Sequence, residues 1–207
     1  MLHAIAGKIK HNSHIHLAGK RYVNGRPITG DSKVPCAFVE QAVDFFPHMT
    51  VQETLNFRVE LKLGNRISKA ARNELVQSLI IQLGLEKAAS TVVGDSKIRG
   101  ISGGERRRLA IACELVSSPS TIFLDEPTSG LDSTAASNLV ETLRKLADTG
   151  KTIVAVIHQP SQHVFAAFDD LMLVSEGKLM YFGEVAAVRK YMDTHASEAP
   201  AGKLVST

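Results

Sequence analysis

Residues 121–133 read TIFLDEPTSGLDS. A short apolar run comes first, and two adjacent carboxylates, Asp125 and Glu126, follow it directly. This pattern predicts a buried strand from Thr121 to Leu124 that presents both carboxylates at its carboxyl end. Burying two carboxylates there costs free energy unless a ligand pairs with them. Mg²⁺ held by Asp125, together with a water polarised by Glu126, would be such a ligand. On these residues alone, it is equally open that Asp125 only caps the next segment.

The segments around this strand alternate between helix and strand. Leucines recur at helical spacing over 139–146, and Gly150 follows them as a stop signal. Further apolar strands are expected over Cys36–Val39 and over 152–157. Short apolar strands between amphipathic helices indicate a parallel sheet that is covered on both faces. The predicted fold class is therefore α/β with a mostly parallel sheet.

Smaller elements are expected beside this sheet. The pairs at 24–25 (Asn-Gly) and 176–177 (Glu-Gly) lie between short extended runs, which predicts two antiparallel hairpins. The apolar spacing over 1–9 predicts a helix that has no N-cap. These hairpins add a small antiparallel β element to the fold.

The middle and the end of the chain differ in character. The run 51–85 has helical spacing and ends at Gly84, so we expect a helical subdomain at about 43–104. From 193 to 207 the composition turns to Ala, Ser, Pro and Gly, which is typical of a linker. The pattern therefore favours one α/β domain over residues 1–192.

A serine and two glycines begin a further predicted helix. Ser102 and Glu105 have the spacing of a capping box, in which each side chain bonds the main chain of the other. A functional interpretation adds an anion, because Gly103 and Gly104 leave main-chain N–H groups open where the helix dipole favours phosphate. The two interpretations are compatible, since one nucleates the helix and the other uses its exposed end.

Two other polar residues follow predicted strands. Gln41 comes after the strand at Cys36–Val39, and His158 comes after TIVAVI. A lone Gln carries little information, and a His in such a place is more often a structural hydrogen-bonding group than a catalytic one. The position is informative because both residues are expected in one crevice with Asp125 and Glu126, where ligands of open α/β sheets bind.

Composition excludes several classes of protein. Lys and Arg number 24 and Asp and Glu number 21, in mixed-sign stretches, so nucleic acid is not implied as a partner. Cys36 and Cys113, the two cysteines, lie in apolar segments away from other metal ligands and are expected to be reduced core thiols. The arginines at 106–108 could contact phosphate or membrane, but they are expected on a solvated helix face near acidic partners. No apolar run approaches the roughly 20 residues that span a bilayer.

The combination of motifs resembles one family closely. ISGGERRR at 101–108 is similar to the signature motif of ABC ATPases, and IFLDEP at 122–127 is similar to their Walker B motif. SGLDS at 129–133 resembles the D-loop, and VIHQP at 156–160 resembles the switch-histidine loop. Order and spacing match as well, so the resemblance covers essentially residues 1–192.

The exact residues within and beside these motifs narrow the resemblance to one subfamily. KIRGISGGERRR, DEPTSGLDS and VIHQPS, together with FFPHMTVQETL after Gln41, are similar to the G subfamily, which is the White and pleiotropic-drug-resistance group. In that group the ATPase domain precedes a membrane domain in one polypeptide. The resemblance therefore implies a transport-coupled ATPase at the cytoplasmic face of a membrane.

The resemblance implies a role for each matching residue. Asp125 would hold Mg²⁺, Glu126 would be the catalytic base, and His158 would hold the γ-phosphate and the attacking water. Gln41 would sense Mg²⁺ and couple to the membrane domain, and Asp132 would cross a dimer interface. The signature residues would bind ATP held by a second nucleotide-binding domain: Ser102, Gly103, Gly104 and Glu105.

One expected motif is not found in the sequence. The chain contains no G-x-x-x-x-G-K-[ST], whose main-chain N–H groups and lysine cradle the phosphates. Family members run from that lysine almost directly into a helix resembling MLHAIAG at 1–7. We therefore expect this chain to be a fragment of an exporter of lipids, sterols, pigments or drugs, and to be inactive by itself.

Two further functions remain as alternatives. The chain could be a non-catalytic partner that supplies only the signature motif to a composite ATP site, although the presence of Glu126 and His158 disfavours this. It could also be a soluble ABC protein that acts on ribosomes or DNA. The single domain and the motif residues similar to the G subfamily disfavour this.

Overall fold

The computed structural model describes residues 1–9, 16–28 and 36–195. The chain divides into two compact units, one ending at Gln159 and one beginning at Pro160. Within the first unit, strands β3 (Cys36–Val39), β4 (Thr121–Asp125) and β5 (Thr152–Val156) form a sheet in that order. Both pairings in this sheet are parallel. The predicted α/β class with a parallel sheet is confirmed.

Register in this sheet places the ends of the three strands at one edge. Val39 pairs with Leu124, and Asp125 pairs with Val156. Because all three strands run in the same direction, the residues that follow them emerge at the same edge. β4 lies in the middle, and its Ile122 and Leu124 are fully buried.

One face of the sheet packs into a core that four helices share. They are α2 (Val51–Leu63), α3 (Lys69–Gln82), α4 (Gly103–Leu115) and α5 (Ser133–Asp148). The apolar stripes of these helices and the inward residues of the sheet form one core, whose fully buried members include Leu55, Leu83, Leu109 and Leu139. Each fully buried leucine of this kind contributes roughly 1.5–3 kcal/mol by leaving water.

Helices α2 and α3 are separated by a short break. A 3₁₀ turn over Gly64–Arg66 follows α2, and Gly64 has a φ of 48°. Glycine accepts this left-handed conformation without a side-chain clash, so α2 ends there. The predicted helical run 51–85 is therefore two helices, and Gly84 ends the second one with a φ of 61°.

On the other face of the sheet, the described residues place one short helix, α1 (Leu2–Ile5). Leu2 packs with Phe38 of β3 and Phe123 of β4 in a second buried cluster. α1 is shorter than the predicted helix over 1–9, because Gly7 takes a φ of 72° and no side chain caps its first turn. The alternation of sheet residues between the two clusters follows the period of two in a β-strand.

Both predicted hairpins are present. β1 (Arg21–Val23) pairs antiparallel with β2 (Arg26–Ile28), and the turn residues Asn24 and Gly25 both have positive φ, as a type I′ turn requires. In the second unit, β6 (Asp170–Ser175) pairs antiparallel with β7 (Lys178–Glu184). This unit also contains α6 (Gln162–Ala166) and α7 (Val188–His195).

One expectation needs correction. Cys36 is exposed rather than buried, because it is the first residue of β3 and lies outside the core that the rest of the strand enters; Cys113 is buried as expected. α7 continues to His195, three residues into the expected linker at 193–207, and the remainder of that linker lies outside the described residues. The subdomain boundaries at 43–104 stay a prediction.

Candidate functional site

Three polar side chains meet at the carboxyl edge of the sheet. Gln41 Nε2 donates a hydrogen bond to Glu126 Oε2 over 2.9 Å, and His158 Nε2 lies 3.0 Å from Glu126 Oε1. Gln41 follows β3, Glu126 follows β4 and His158 follows β5, so each of the three strands contributes one of them. Glu126 is the shared centre, with both carboxylate oxygens in contact with a polar partner.

The main chain of Glu126 has an unusual conformation. Its φ is 45°, in the left-handed region that a residue with a long side chain seldom adopts. Its N–H donates to the Val156 carbonyl over 3.0 Å, which continues the β4–β5 pairing by one residue and holds this turn. Gln159, directly after His158, also has a positive φ, of 46°. Conformations of this kind cluster at functional sites because the surrounding structure must hold them.

Asp125 lies beside Glu126 and has a different neighbour. Its Oδ2 is 3.8 Å from His3 Nε2, and its side chain is about one third exposed, at 34%. The His3 ring in turn lies 4.4 Å from the Phe38 ring. The hydrogen bond that caps α5 is accepted by Asp132, whose Oδ1 bonds the Ala135 N–H over 2.9 Å. The capping role left open for Asp125 is therefore filled by Asp132.

The oxygen ligands at this edge suit Mg²⁺. A carboxylate from Asp125 and an amide oxygen from Gln41 are the hard ligands that this cation prefers. Within the described residues, no group of three or more His, Cys, Asp or Glu side chains is arranged to hold a metal. A site with one or two protein ligands is what Mg²⁺ uses when substrate phosphates and water complete its coordination. The residues present fit a metal bound together with a nucleotide.

The start of α4 has the capping box that the sequence predicts. The Ser102 hydroxyl accepts from the Glu105 N–H, and the Ser102 N–H donates to the Glu105 carboxylate over 2.8 Å. The second bond is the main cause that lowers the pKa of Glu105 from its ordinary value; the Ser102 hydroxyl and Arg108 lower it further, and burial opposes them. Both partners are thereby fixed at the first turn of the helix.

The two glycines of this turn are close to other parts of the chain. A Cβ atom on Gly103 would lie 3.3 Å from Leu131 Cδ2, and one on Gly104 would lie 3.4 Å from the Ala135 Cβ. The glycines therefore allow α4 to pack against the segment that leads into α5. Their N–H groups belong to the first turn of the helix, where no acceptor lies within the helix itself. The turn can thus pack on one side and offer donors on the other.

Arg106 and Arg107 of α4 bond main-chain carbonyls, whereas the sequence predicted that they line a solvated face. Arg106 Nη2 donates to the carbonyls of Val93, over 3.2 Å, and Gly94. Arg107 Nη1 donates to the carbonyls of Gln41 and of Glu40, the latter over 3.3 Å. The expectation was wrong because it considered acidic side chains only, whereas the guanidinium groups pair with main-chain carbonyls of two loops.

The predicted site residues therefore form two groups. Gln41, Glu126 and His158 are in contact at the sheet edge, and Asp125 lies next to Glu126 in the chain. Ser102, Gly103, Gly104 and Glu105 form the first turn of α4, which meets the segment containing Asp132. The sequence patterns gave no role to His3, and they placed Arg107 only on a solvated helix face. For Arg107 the available signal was its place four residues after Gly103, since an i, i+4 partner of a site residue faces the same side of the helix.

The comparisons with known proteins agree with this arrangement. The family model described as "ABC transporter" matches residues 1–129. ABC transporter G family member 7 of Arabidopsis thaliana is 48% identical over 183 residues, which cover 88% of this chain and 25% of that protein. Member 25 of the same plant is 46% identical over 94% of this chain and 29% of its own length. Member 1 of Dictyostelium discoideum is 40% identical over 92% of this chain and 25% of its own.

The chain spans about a quarter of the length of these relatives. Among the helices of the described residues, none combines the length and the apolar character that a membrane span requires. The match of the family model covers more than half of the chain, and the relatives share one subfamily name. The chain belongs to the ABC transporter family and is a nucleotide-binding domain of its G subfamily.

Proposed function

We propose that the chain is the catalytic part of an ATP-hydrolysing motor that drives a membrane exporter. In this proposal Glu126 takes a proton from the attacking water, and His158 orients that water and the γ-phosphate. Asp125 and Gln41 would hold Mg²⁺ against the phosphates, where the metal neutralises developing charge. Lipids, sterols, pigments and drugs are the classes of cargo that we assign to the exporter, on the basis of the subfamily resemblance.

The contact of Gln41 and His158 with the two oxygens of Glu126 carries this proposal. A carboxylate with a polar partner on each oxygen is held in one orientation, as a general base needs. The left-handed backbone of Glu126 supports the same conclusion, because such a conformation is costly to retain without use. A purely structural carboxylate would need neither feature.

The Ser102–Gly104 turn would serve a second ATP molecule. The family pairs two nucleotide-binding domains, and we propose that this turn binds the γ-phosphate of ATP held by the phosphate loop of the other domain. The capping box uses the Glu105 N–H, so the Gly103 and Gly104 N–H groups have no acceptor within the helix, at the end where the helix dipole favours an anion. Glu105 would fix the turn, and Asp132, at the cap of α5, would contact the partner domain.

Hydrolysis also needs a phosphate loop, which we propose is supplied by a segment outside these residues. The edge strand β5 supports this, since its apolar residues Ile153 to Val156 are only half buried. Apolar strands in parallel sheets are ordinarily paired and covered on both sides. An added parallel strand carrying the loop would pair with β5 and end beside Glu126.

Equilibrium dialysis with Mg-ATP tests this proposal. The chain alone is compared with a chimera in which the segment that precedes the matched region of G family member 7 is joined to Met1. Loss of two or three charge-assisted bonds to phosphate weakens binding by about a thousandfold or more, so we expect millimolar Kd for the chain and micromolar Kd for the chimera.

The control is a chimera whose loop lysine is replaced by Ala, which is expected to bind as weakly as the chain. Micromolar binding by the chain alone would overturn the proposed division of the site. Equal, weak binding by the chain and the intact chimera would favour the second candidate, a non-catalytic partner. This second candidate is retained because the sequence contains no G-x-x-x-x-G-K-[ST].

A membrane domain is the further partner that we propose, at a patch of exposed apolar side chains. Phe46 is 62% exposed, and its ring meets the Phe57 ring edge-on with 6.0 Å between centroids. Leu61, one turn after Phe57 on α2, is 65% exposed. Phe45, by contrast, packs against the core. A patch of this kind close to Gln41 in the chain suits a helix of a membrane domain.

Photo-crosslinking in the full-length polypeptide tests this contact. A crosslinking residue in place of Phe46 is expected to label the membrane domain. Tyr22, which is 57% exposed in the β1–β2 hairpin, is the matched position and is expected to label it weakly. Equal labelling from both positions would remove the patch from the proposal.

A further inference from the structure

Arg107 connects two parts of the proposed site within one chain. It lies in the second turn of α4, after the Ser102–Gly104 turn, and its guanidinium donates to the carbonyls of Glu40 and Gln41. The Gln41 side chain then donates to Glu126. A continuous series of contacts therefore leads from the start of α4 to Glu126.

The environment of Arg107 favours a fixed position. The side chain is partly buried, and the guanidinium stays charged at every pH at which the protein is folded. Burial lowers the pKa of Arg107, and the negative charge of Glu126 raises it, so the two groups lie within electrostatic reach. The planar guanidinium can donate to two carbonyls at once, which a lysine ammonium does with less geometric definition.

Arg106 shows that this connection is specific to one position. It has the same chemistry and is the preceding residue, yet it donates to Val93 and Gly94, and its guanidinium lies 5.8 Å from the centre of the Phe45 ring. The two neighbouring arginines thus hold two different loops. Of these two loops, the one held by Arg107 contains Gln41, whose side chain bonds Glu126.

We propose that Arg107 is a positioning residue that couples the Ser102–Gly104 turn to Gln41 and Glu126 of the same chain. When ATP on the partner domain engages the turn, α4 shifts, and Arg107 transmits that shift to the main chain at Gln41. The amide of Gln41 then sets the position of Glu126. This inference rests on the proposed function, because the ligand of the turn is the partner's ATP.

NMR spectroscopy of the chain without nucleotide tests the connection itself. In Arg107→Met, the backbone order parameters at 40–42 are expected to fall from about 0.85 to below about 0.6. The side-chain amide resonances of Gln41 are expected to move to the positions of a solvated glutamine. Arg107→Lys, which keeps the charge and can still donate to one carbonyl, is expected to restore part of both signals and covers the case in which Arg107→Met does not fold.

Arg106→Met is the matched control. It is expected to raise mobility at 93–94 and to leave the Gln41 amide resonances unchanged. Unchanged Gln41 signals in Arg107→Met, or the same change in both variants, would overturn the assignment of Arg107.

A second arm adds Mg-ATP and a separate nucleotide-binding domain that has an intact phosphate loop. The Gln41 amide resonances of the wild-type chain and of Arg106→Met are expected to shift, and those of Arg107→Met are expected to stay. A shift in Arg107→Met as large as in the wild type would overturn the coupling. No shift in any chain would refute both the coupling and the proposed composite site, while the measurement without nucleotide would still decide whether Arg107 holds Gln41.

Discussion

Gln41 and Glu126 are 85 residues apart in the chain, and their side chains are joined by a hydrogen bond of 2.9 Å. This bond links the segment after β3 to the segment after β4, the middle strand of the sheet. His158 reaches the other oxygen of Glu126 from β5. Because all three strands are parallel, the residues that directly follow them lie at the same edge of the sheet, and this brings Gln41, Glu126 and His158 together.

Leu55→Ala tests the packing of α2 in the core. Leu55 is fully buried, so its truncation leaves a cavity and is expected to lower the free energy of unfolding by about 2–5 kcal/mol. Leu61 on the same helix is 65% exposed, and Leu61→Ala is expected to change that free energy by less than about 0.5 kcal/mol. Urea denaturation measures both, and equal effects would contradict the burial of α2.

Ser102→Ala tests the capping box of α4. The variant loses the acceptor for the Glu105 N–H and is expected to cost about 1 kcal/mol of stability in thermal or urea unfolding. Ser68→Ala removes the comparable cap of α3, where Ser68 accepts from the Ala71 N–H, and sets the reference for a cap that has no proposed ligand. A Ser102→Ala variant as stable as the wild type would show that the box is not formed.

Glu105 predicts a pH dependence with a definite sign. Its folded pKa is lowered from 4.5, so the deprotonated carboxylate stabilises the fold above the unfolded pKa, and that contribution is lost as pH falls through the folded pKa. Wild-type stability is therefore expected to fall more steeply than that of Glu105→Gln between about pH 5 and pH 3. Urea midpoints across this range measure the difference, and parallel curves would exclude the contribution.

The two cysteines are expected to differ in reactivity. Cys36 is exposed, whereas Cys113 is buried and its pKa is raised to about 11, chiefly by burial. At pH 7 only about one Cys113 thiol in ten thousand would be ionised. Maleimide labelling followed by mass spectrometry is expected to modify Cys36 in the native chain and Cys113 only after unfolding. If the native Cys36→Ser variant reacted with maleimide as fast as the native wild-type chain, the assignment of the reactive thiol to Cys36 would be contradicted.

The sheet and the residues at its edge could be predicted from the sequence because local patterns specify them. The apolar runs that become β3, β4 and β5 end one or two residues before Gln41, Glu126 and His158, so their common edge followed from the order of the strands. The capping box of α4 was likewise encoded in the spacing of Ser102 and Glu105.

The contacts that were missed are long-range and involve the main chain. Arg107 bonds carbonyl groups 66 and 67 residues away, and a carbonyl has no residue type that a motif could record. Cys36 was expected in the core because its segment is apolar, but its burial depends on where the strand begins relative to α1. The left-handed backbone of Glu126 depends on its bond to Val156 in the neighbouring strand, which the local sequence does not specify.

Single-turnover hydrolysis of Mg-ATP by the chimera, compared with its Glu126→Gln variant, tests the central claim most directly. Glutamine keeps the size of the side chain but cannot accept the proton of the attacking water. We expect the rate of phosphate release to fall by about a hundredfold or more, while the affinity for Mg-ATP stays within about twofold of the parent chimera. Hydrolysis by Glu126→Gln at the parent rate would contradict the assignment of Glu126 as the general base of this site.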